Sequence, residues 1–390
     1  MIRNSQPELC PSNNVNPRPS ELRPTEFPES CLEHVDTRIV RFDQLSPDAL
    51  QRWSDWHRKL RQYASPYFDP QFTSAVDAVR KDVRIALFSN SRGELVGLLP
   101  YQQVRHQHAD PIGGRLNDFH GVIGHSDFRV NWERFLTAAG LRTFSFHAAS
   151  TGLKELEPFR FEHLSSHEID ISAGAPAYLE WAFGKSSTLK RQSQKTRALA
   201  RHHGPIRFVF RSTDSASLEW LIEKKRQRYQ RSLTFDILGV EWAANLLREI
   251  HHHRRGSLRP VLSELWAGPH RIAAHFGMLN DRILHYWFPV YDPHFARYSP
   301  GTELLLRTIQ AADQEVERID LSYGDAPYKF KFSNSRSVVA HGLVCPVRLE
   351  HRVLKGRYLM RKRLKTLPGR QWAKQILRRV YPDYGHWHYR

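Results

Sequence analysis

The sequence predicts an α+β chain in which mostly antiparallel strands are flanked by helices and the theme is stated twice. Three observations carry that expectation. Short β-branched and aromatic runs bounded by turn residues occur throughout. Between them lie stretches whose apolar residues recur at helical spacing. The second half then repeats the content of the first in a similar order, as an internal duplication would.

The opening residues, 1–34, hold six prolines with much Ser and Asn and no apolar periodicity, a composition expected to stay disordered. TRIVRF then reads as a strand. Pro47 to Tyr63 sets Leu50, Trp53, Trp56 and Leu60 at helical spacing behind a Ser46 cap. A second helix is expected over Asp69 to Arg80. VRIALFSN and ELVGLLPYQQV, joined through Ser91, Arg92 and Gly93, form a hairpin that turns Ile85, Leu87, Val96 and Leu98 to a core. A helix near Val130 to Ala139, the strand RTFSFHAA and the short strand EIDIS complete the half assigned to 35–170.

Residues 171–345 begin with a helix over Ser187 to His202, the strand IRFVF, and helices at Ser215 to Gln230 and Trp242 to His252. Three strands follow, LRPVLSELWAG, HRIAAHFGMLN and RILHYWFPVYD, punctuated by Gly268-Pro269 and Asn280-Asp281. A helix from Gly301 to Val316 and the strand RIDLSYG close the series.

Composition narrows the function. The 390 residues, 40% hydrophobic with ten Trp and 21 Phe, suffice for two cores. No apolar run nears the roughly 18 residues that cross a bilayer, and the first residues lack an apolar stretch after a basic start, so a cytoplasmic protein is expected. Cys10, Cys31 and Cys345 are too few and scattered for a disulfide framework or a zinc motif. Neither His251, His252 and His253 nor His386 and His388 offers metal-ligand spacing. Hydrolase elbows, HExxH helices and Walker loops are missing from the sequence. The net charge is +18, but +11 of it falls in residues 346–390, where 13 Lys and Arg face only Glu350 and Asp383. That tail could lie on an anionic membrane or a nucleic acid, or pack on the body through Trp372, Ile376 and Val380. Lys185 to Arg201 carries six bases and no acid, which fits either an anionic partner or a solvated face.

The stretch richest in chemistry runs from HYWFPVYDPHFARYSPGTELLLRTIQ to RIDLSYGDAPYKFKFSN. A strand that ends in Ser-Pro-Gly and feeds a helix presents bare amide N–H groups to an anion, with the helix dipole adding to the attraction. The strands, the YSPG loop, the helix and DLSYGDAPYKFKF resemble the CelD/BcsL branch of the GNAT superfamily, associated with cellulose and exopolysaccharide biosynthesis. The likeness covers roughly Asp170 to Phe332, including the basic helix TLKRQSQKTRALARHHG, and extends loosely over SPYFDPQF and GLLPY in the first half.

That resemblance implies a tandem GNAT-like fold and an acyl-coenzyme A co-substrate held by its pyrophosphate at Arg297, Ser299, Gly301 and Thr302. The usual superfamily loop is richer in glycine; here Pro300 removes one donor. Acyl transfer needs a proton acceptor and donors for the oxyanion or leaving thiolate. Tyr323, Asp325, Tyr328 and Lys329 cluster past the last strand, Asp325 as base or orienting group and Tyr328 and Lys329 as donors. Asp325 could equally cap a turn and Lys329 be a solvated charge. His275, His285 and Glu264 lie on central strands, where each is a base candidate or a satisfied sheet residue. The acceptor is expected to be an amino sugar or sugar hydroxyl. Two other readings stay open: a Fem-like transferase fed by aminoacyl-tRNA, and a non-catalytic basic binding protein that retains the fold.

Overall fold

A computed structural model describes residues 36–125, 128–232, 234–253 and 256–364. The expected disordered start and the apolar positions of the basic tail, Trp372, Ile376 and Val380, lie outside those residues.

Local chemistry sets the first elements. Strand β1 (Asp36–Val40) leads to α1 (Pro47–Lys59), whose start is fixed by Pro47 at the first position and by the Ser46 hydroxyl accepting Ala49 N–H at 3.2 Å. Trp53 is buried and donates its indole N–H to Phe68 O at 2.8 Å. The helix stops at Lys59, short of the expected Tyr63, because Leu60 turns extended and Arg61–Tyr63 forms a single 3-10 turn. Asp69 caps α2 (Pro70–Val79). The hairpin of β2 (Val83–Ser89) and β3 (Leu95–Arg105) closes as expected, with Asn90 Oδ1 receiving the amides of Arg92 and Glu94 and Gly93 in the left-handed region. Its simple alternation is lost. Ile85 and Leu98 meet Trp53 and Phe68 on one face, while Ala86, Phe88 and Leu99 meet Phe135 and Phe144 on the other, so both faces are buried.

The remaining elements of the first half are β4 (His108–Pro111), the two-residue β5 (Ile123–Gly124), α3 (Trp132–Ala138), β6 (Thr143–Ser150) and β7 (Arg160–Asp170). The second half opens with α4 (Ala175–Lys185), α5 (Ser187–Lys190) and α6 (Gln192–His203). Here the sequence pattern misled: α4 is apolar around most of its circumference and shows little periodicity, and the single basic helix expected over Ser187 to His202 breaks at Arg191. Strand β8 (Ile206–Val209), α7 (Ser215–Arg231) and α8 (Glu241–His252) precede β9 (Arg259–Ala267), β10 (His270–Leu279) and β11 (Ile283–Tyr291). Then come α9 (Pro300–Ala311), β12 (Arg318–Tyr323), α10 (Pro327–Phe332), β13 (Ser335–Val344) and α11 (Arg348–Leu364). Helix α9 ends five residues before Val316, where the chain turns through Gln314 at φ 61°.

All the strands join one sheet in the order β1-β2-β3-β4-β6-β13-β7-β12-β11-β10-β9-β8, with β5 beside β3. The order reads nearly the same from both ends. β1, α1, α2, β2, β3, β4, α3, β6 and β7 repeat as β8, α7, α8, β9, β10, β11, α9, β12 and β13. The final strands are exchanged: β7 pairs with β12 of the other half, and β13 with β6. Pairing is antiparallel except at β4–β6 and β11–β12, and each of those parallel pairs is brief. On one face, α2 and α8 pack together in a shared core with Phe72, Val76, Leu247 and Phe276.

Candidate active site

Strands β11 and β12 pair at Ile283↔Arg318, Leu284↔Ile319 and His285↔Asp320, then part. Two local features force the parting. Asp320 Oδ1 draws in the Ser322 amide at 2.7 Å, and Ser322 takes φ 67°, an uncommon conformation for a side-chain-bearing residue that turns β12 aside. On the other side of β11, β10 carries a bulge between Phe276 and Met278. Gly277 at that bulge has no room for a Cβ, which would stand 2.2 Å from His285 O. The edge of β11 beyond His285 is thereby left facing a wedge rather than a strand.

At the apex of the wedge sits a charged cluster that spans both halves of the chain. His285 is fully buried, with Nδ1 at 3.1 Å from Asp320 Oδ2. Its Nε2 lies 2.8 Å from Tyr67 Oη and 3.4 Å from Asp118 Oδ2. Burial by itself would strip the imidazolium of its proton, but the hydrogen bonds to Asp118 and Asp320 outweigh it and raise the pKa to about 9. Asp320 is buried too, which works to raise its carboxyl; the bond and charge of His285 carry it below the usual range. Tyr67 donates to Leu116 O at 2.9 Å, and burial pushes its phenol well up. At neutral pH His285 is therefore a locked cation between two carboxylates.

Lys329, on α10, points into the same cluster. Its Nζ donates to Tyr323 O at 2.5 Å, and burial lowers its pKa against the pull of Asp118, Asp320 and Asp325. Tyr328, in the next position, is pushed up mainly by burial and feels Arg228, Asp118 and Asp320. Asp325 is exposed, on the turn before α10. From α7, Lys225 reaches Pro289 O at 3.1 Å over the rings of Tyr229 and Phe288, and burial, with Arg228 and Lys329 adding to it, brings its pKa down to about 7. An amine that titrates near neutrality is suited to proton transfer. Beside the gap, Tyr286 Oη and both ring nitrogens of His275 are buried with no hydrogen-bond partner among the described residues, and the two rings stack at 3.8 Å. Burial holds His275 well below its usual pKa.

The structure thus brings together His285, Tyr323, Asp325, Tyr328 and Lys329 of the residues expected from the sequence. Glu264 stands elsewhere: it bonds Arg271 Nε at 3.1 Å and Trp266 Nε1 at 3.0 Å, tying β9 to β10, and Arg271 in turn bonds Ser217. Tyr67, Asp118, Lys225 and Asp320 are site residues that the sequence alone does not single out. Tyr67 and Asp118 belong to the other half, and Lys225 hides in a run of basic residues on α7, so only the fold brings them to one point.

The expected phosphate turn differs in detail. Ser299 sits at φ 54° as the cap of α9; its own amide bonds Ala296 O, and the amides of Thr302 and Glu303 both return to Ser299 O at 3.0 and 3.3 Å. Pro300 has no N–H. Gly301 is left as the amide without an acceptor among the described residues, in place of the expected run of bare donors. Positive charge compensates: Lys195 Nζ reaches Ser299 Oγ at 2.8 Å, and Lys331 is pushed down by burial and by nearby Lys195. Arg297 instead stacks on and donates to Tyr298, whose hydroxyl also meets His202 Nδ1 at 2.8 Å. One free amide and two ammonium groups suit a phosphate.

A sheet whose parallel strands part beside a helix that follows the parting strand defines a class of acyl-transfer enzyme. The family model described as Acetyltransferase (GNAT) domain matches residues 186–330, so that segment is a GNAT acetyltransferase domain and the protein is an acyltransferase of tandem GNAT fold. No curated protein sequence matches the chain. Among solved structures, FemX superposes with a TM-score of 0.53 at 10% identity over 82% of this chain and 100% of its own, a likeness of fold. A tandem GNAT protein from the clavulanic acid biosynthesis pathway gives 0.47 at 9%, covering 80% and 98%. L-PGS from Bacillus licheniformis gives 0.43 at 11%, covering 80% and 96%.

Proposed function

We propose that the protein moves an acyl group from acyl-coenzyme A to an amino or hydroxyl group of a sugar, in the cytoplasm, within the polysaccharide assembly associated with the CelD/BcsL branch that its sequence resembles. The observation that carries the reading is the wedge that opens after His285↔Asp320, with ionisable groups at its apex and a cationic turn beside α9. In this reading residues 171–345 carry the chemistry and 35–170 supply the wall that holds Tyr67 and Asp118 against it.

The coenzyme's pyrophosphate would lie against Gly301, Ser299, Lys195 and Lys331, with Thr302 at its edge. The acyl arm would enter the wedge, where the open edge of β11 and the unpartnered Tyr286 hydroxyl can receive its amides and carbonyl. As the acceptor attacks the thioester carbon, the new C–N or C–O bond forms and the C–S bond breaks. Lys225, with its near-neutral pKa, takes the acceptor's proton, and Tyr328 or Lys329 gives one to the departing sulfur. Asp325, exposed at the mouth, orients the acceptor. The His285, Asp118, Asp320 and Tyr67 unit sets the geometry and field without gaining or losing a proton.

Calorimetric titration with acetyl-coenzyme A tests the donor. Saturable heat that weakens about tenfold in Lys195→Ala is expected, a loss typical of one charge-assisted phosphate contact. The single spare amide of the turn favours a second reading, an aminoacyl-tRNA donor on the basic surfaces of α6 and the C-terminal residues. Salt-sensitive tRNA binding with no heat from the coenzyme selects it. Failure of both leaves the basic binding protein. No described helix is long and apolar enough to cross a membrane; liposome sedimentation at low and high salt tests surface association through residues 346–390.

A further inference from the structure

The first half holds a cavity of its own, of about 530 Å³, on the sheet face between the ends of α2 and α8 and the C-terminal helix α11. That volume is in the range of small-molecule sites. Its floor comes from β4, β6 and β13, and its rim from the Gly113–Leu116 turn. It lies apart from the wedge: the residues that line it include none of the groups placed in acyl transfer above.

Charge around it is unbalanced. Much of what lines the cavity is already engaged: Arg80 pairs with Asp82, Glu350 with Arg142 at 3.2 Å, and Asp110 with His108 at 3.4 Å. His108 also bonds Thr143 Oγ1 at 2.8 Å. Arg105 and His106 also line the cavity, and Arg115, His147 and His341 act on one another. Burial lowers the pKa of both imidazoles, His341 to about 4; Arg115 pushes each further down, as His147 does His341, against Asp110 and Asp118 at His147 and Glu162 at His341. His147 retains Asn117 O at 3.0 Å, while His341 stacks on Tyr358 at 4.8 Å. With both imidazoles neutral, the Arg115 guanidinium leaves this wall of the cavity positive, a field that favours an entering anion. Phe146, Phe161, Trp242 and Leu354 add apolar wall for the body of such a ligand.

We propose that this cavity is a second ligand site, one that binds a small phosphate ester, with Arg115 and His341 receiving the phosphate and the aromatic wall receiving a body the size of a hexose. A guanidinium fork matches phosphate geometry, and a dianion beside two neutral imidazoles gains further by returning protons to them. The site is independent of the acyl-donor reading.

Titration calorimetry of the full-length protein with glucose 6-phosphate, with glucose and with inorganic phosphate tests it. Saturable binding of glucose 6-phosphate, weaker binding of phosphate and none of glucose are expected. Arg115→Ala, at an exposed position where the fold should tolerate it, and His341→Gln should each weaken the sugar phosphate at least tenfold, whereas Lys195→Ala should leave it unchanged. Equal binding by Arg115→Ala, equal binding of glucose, absence of binding by the wild type, or loss in Lys195→Ala would each overturn the proposal, the last by placing the anion at the α9 turn.

Discussion

At the scale of single residues, His285 is the group on which the apex depends. Its folded pKa of about 9 lies above the ordinary 6.5, so its contribution to stability is complete below about pH 6.5 and disappears as pH rises through 9. The shift corresponds to roughly 3 kcal/mol. Asp320, whose pKa is lowered, behaves in the opposite sense and withdraws stability as pH falls below the usual carboxylate range. Thermal melts of the wild type should therefore lose stability between pH 6.5 and 9, and His285→Gln, less stable at pH 6, should show a much flatter slope over that window. An unchanged slope in the variant would remove the ion cluster as its cause. Lys329 belongs to the chemistry instead. Lys329→Ala should fold but lose about a hundredfold in turnover, in line with loss of one polar group from a transition state. Asp325→Asn, at the exposed mouth, should raise KM for the acceptor more than it lowers kcat.

At the scale of elements, the wedge is made by backbone irregularities, one of them held by the Asp320 carboxylate on the Ser322 amide. The bulge of β10 at Gly277 lets His285 come within contact of the neighbouring strand, and the left-handed Ser322 turns β12 away. Gly277→Ala places a methyl group 2.2 Å from His285 O, so backbone must move, at a cost of about 1–3 kcal/mol typical of overpacking. Urea unfolding should show the loss, accompanied by reduced acyl transfer. Alternating patterns in β10 and β11 reveal strands but give no sign of where a ladder stops, because the stop depends on a partner residue 35 positions away. Likewise YSPG announced a helix start, while the number of amides it leaves free depended on how Ser299 closed the turn. Lys195, which compensates, was legible only as one charge among six on a basic segment.

At the scale of the whole molecule, the exchange of β7 and β13 ties the halves together. Each half completes its sheet with the other's last strand, so neither can unfold and leave the other's sheet intact. Urea unfolding of the described body should appear as one transition, with tryptophan fluorescence and far-UV circular dichroism coinciding. Two separated transitions would mean that the exchanged strands do not couple the halves. What the sequence determined by itself was local: which runs form strands or helices, where Ser46, Asp69 and Ser299 start helices, and that the theme occurs twice. Periodicity and capping are short-range, and both are written in neighbouring residues. The tertiary structure decided what is long-range. It exchanged the closing strands, buried both faces of β2 and β3, sent Glu264 into a separate ion pair, and brought Tyr67 and Asp118 across from the first half to His285. Those meetings depend on chain reversal over as many as 218 residues, and no spacing rule along a sequence encodes a distance between residues so far apart.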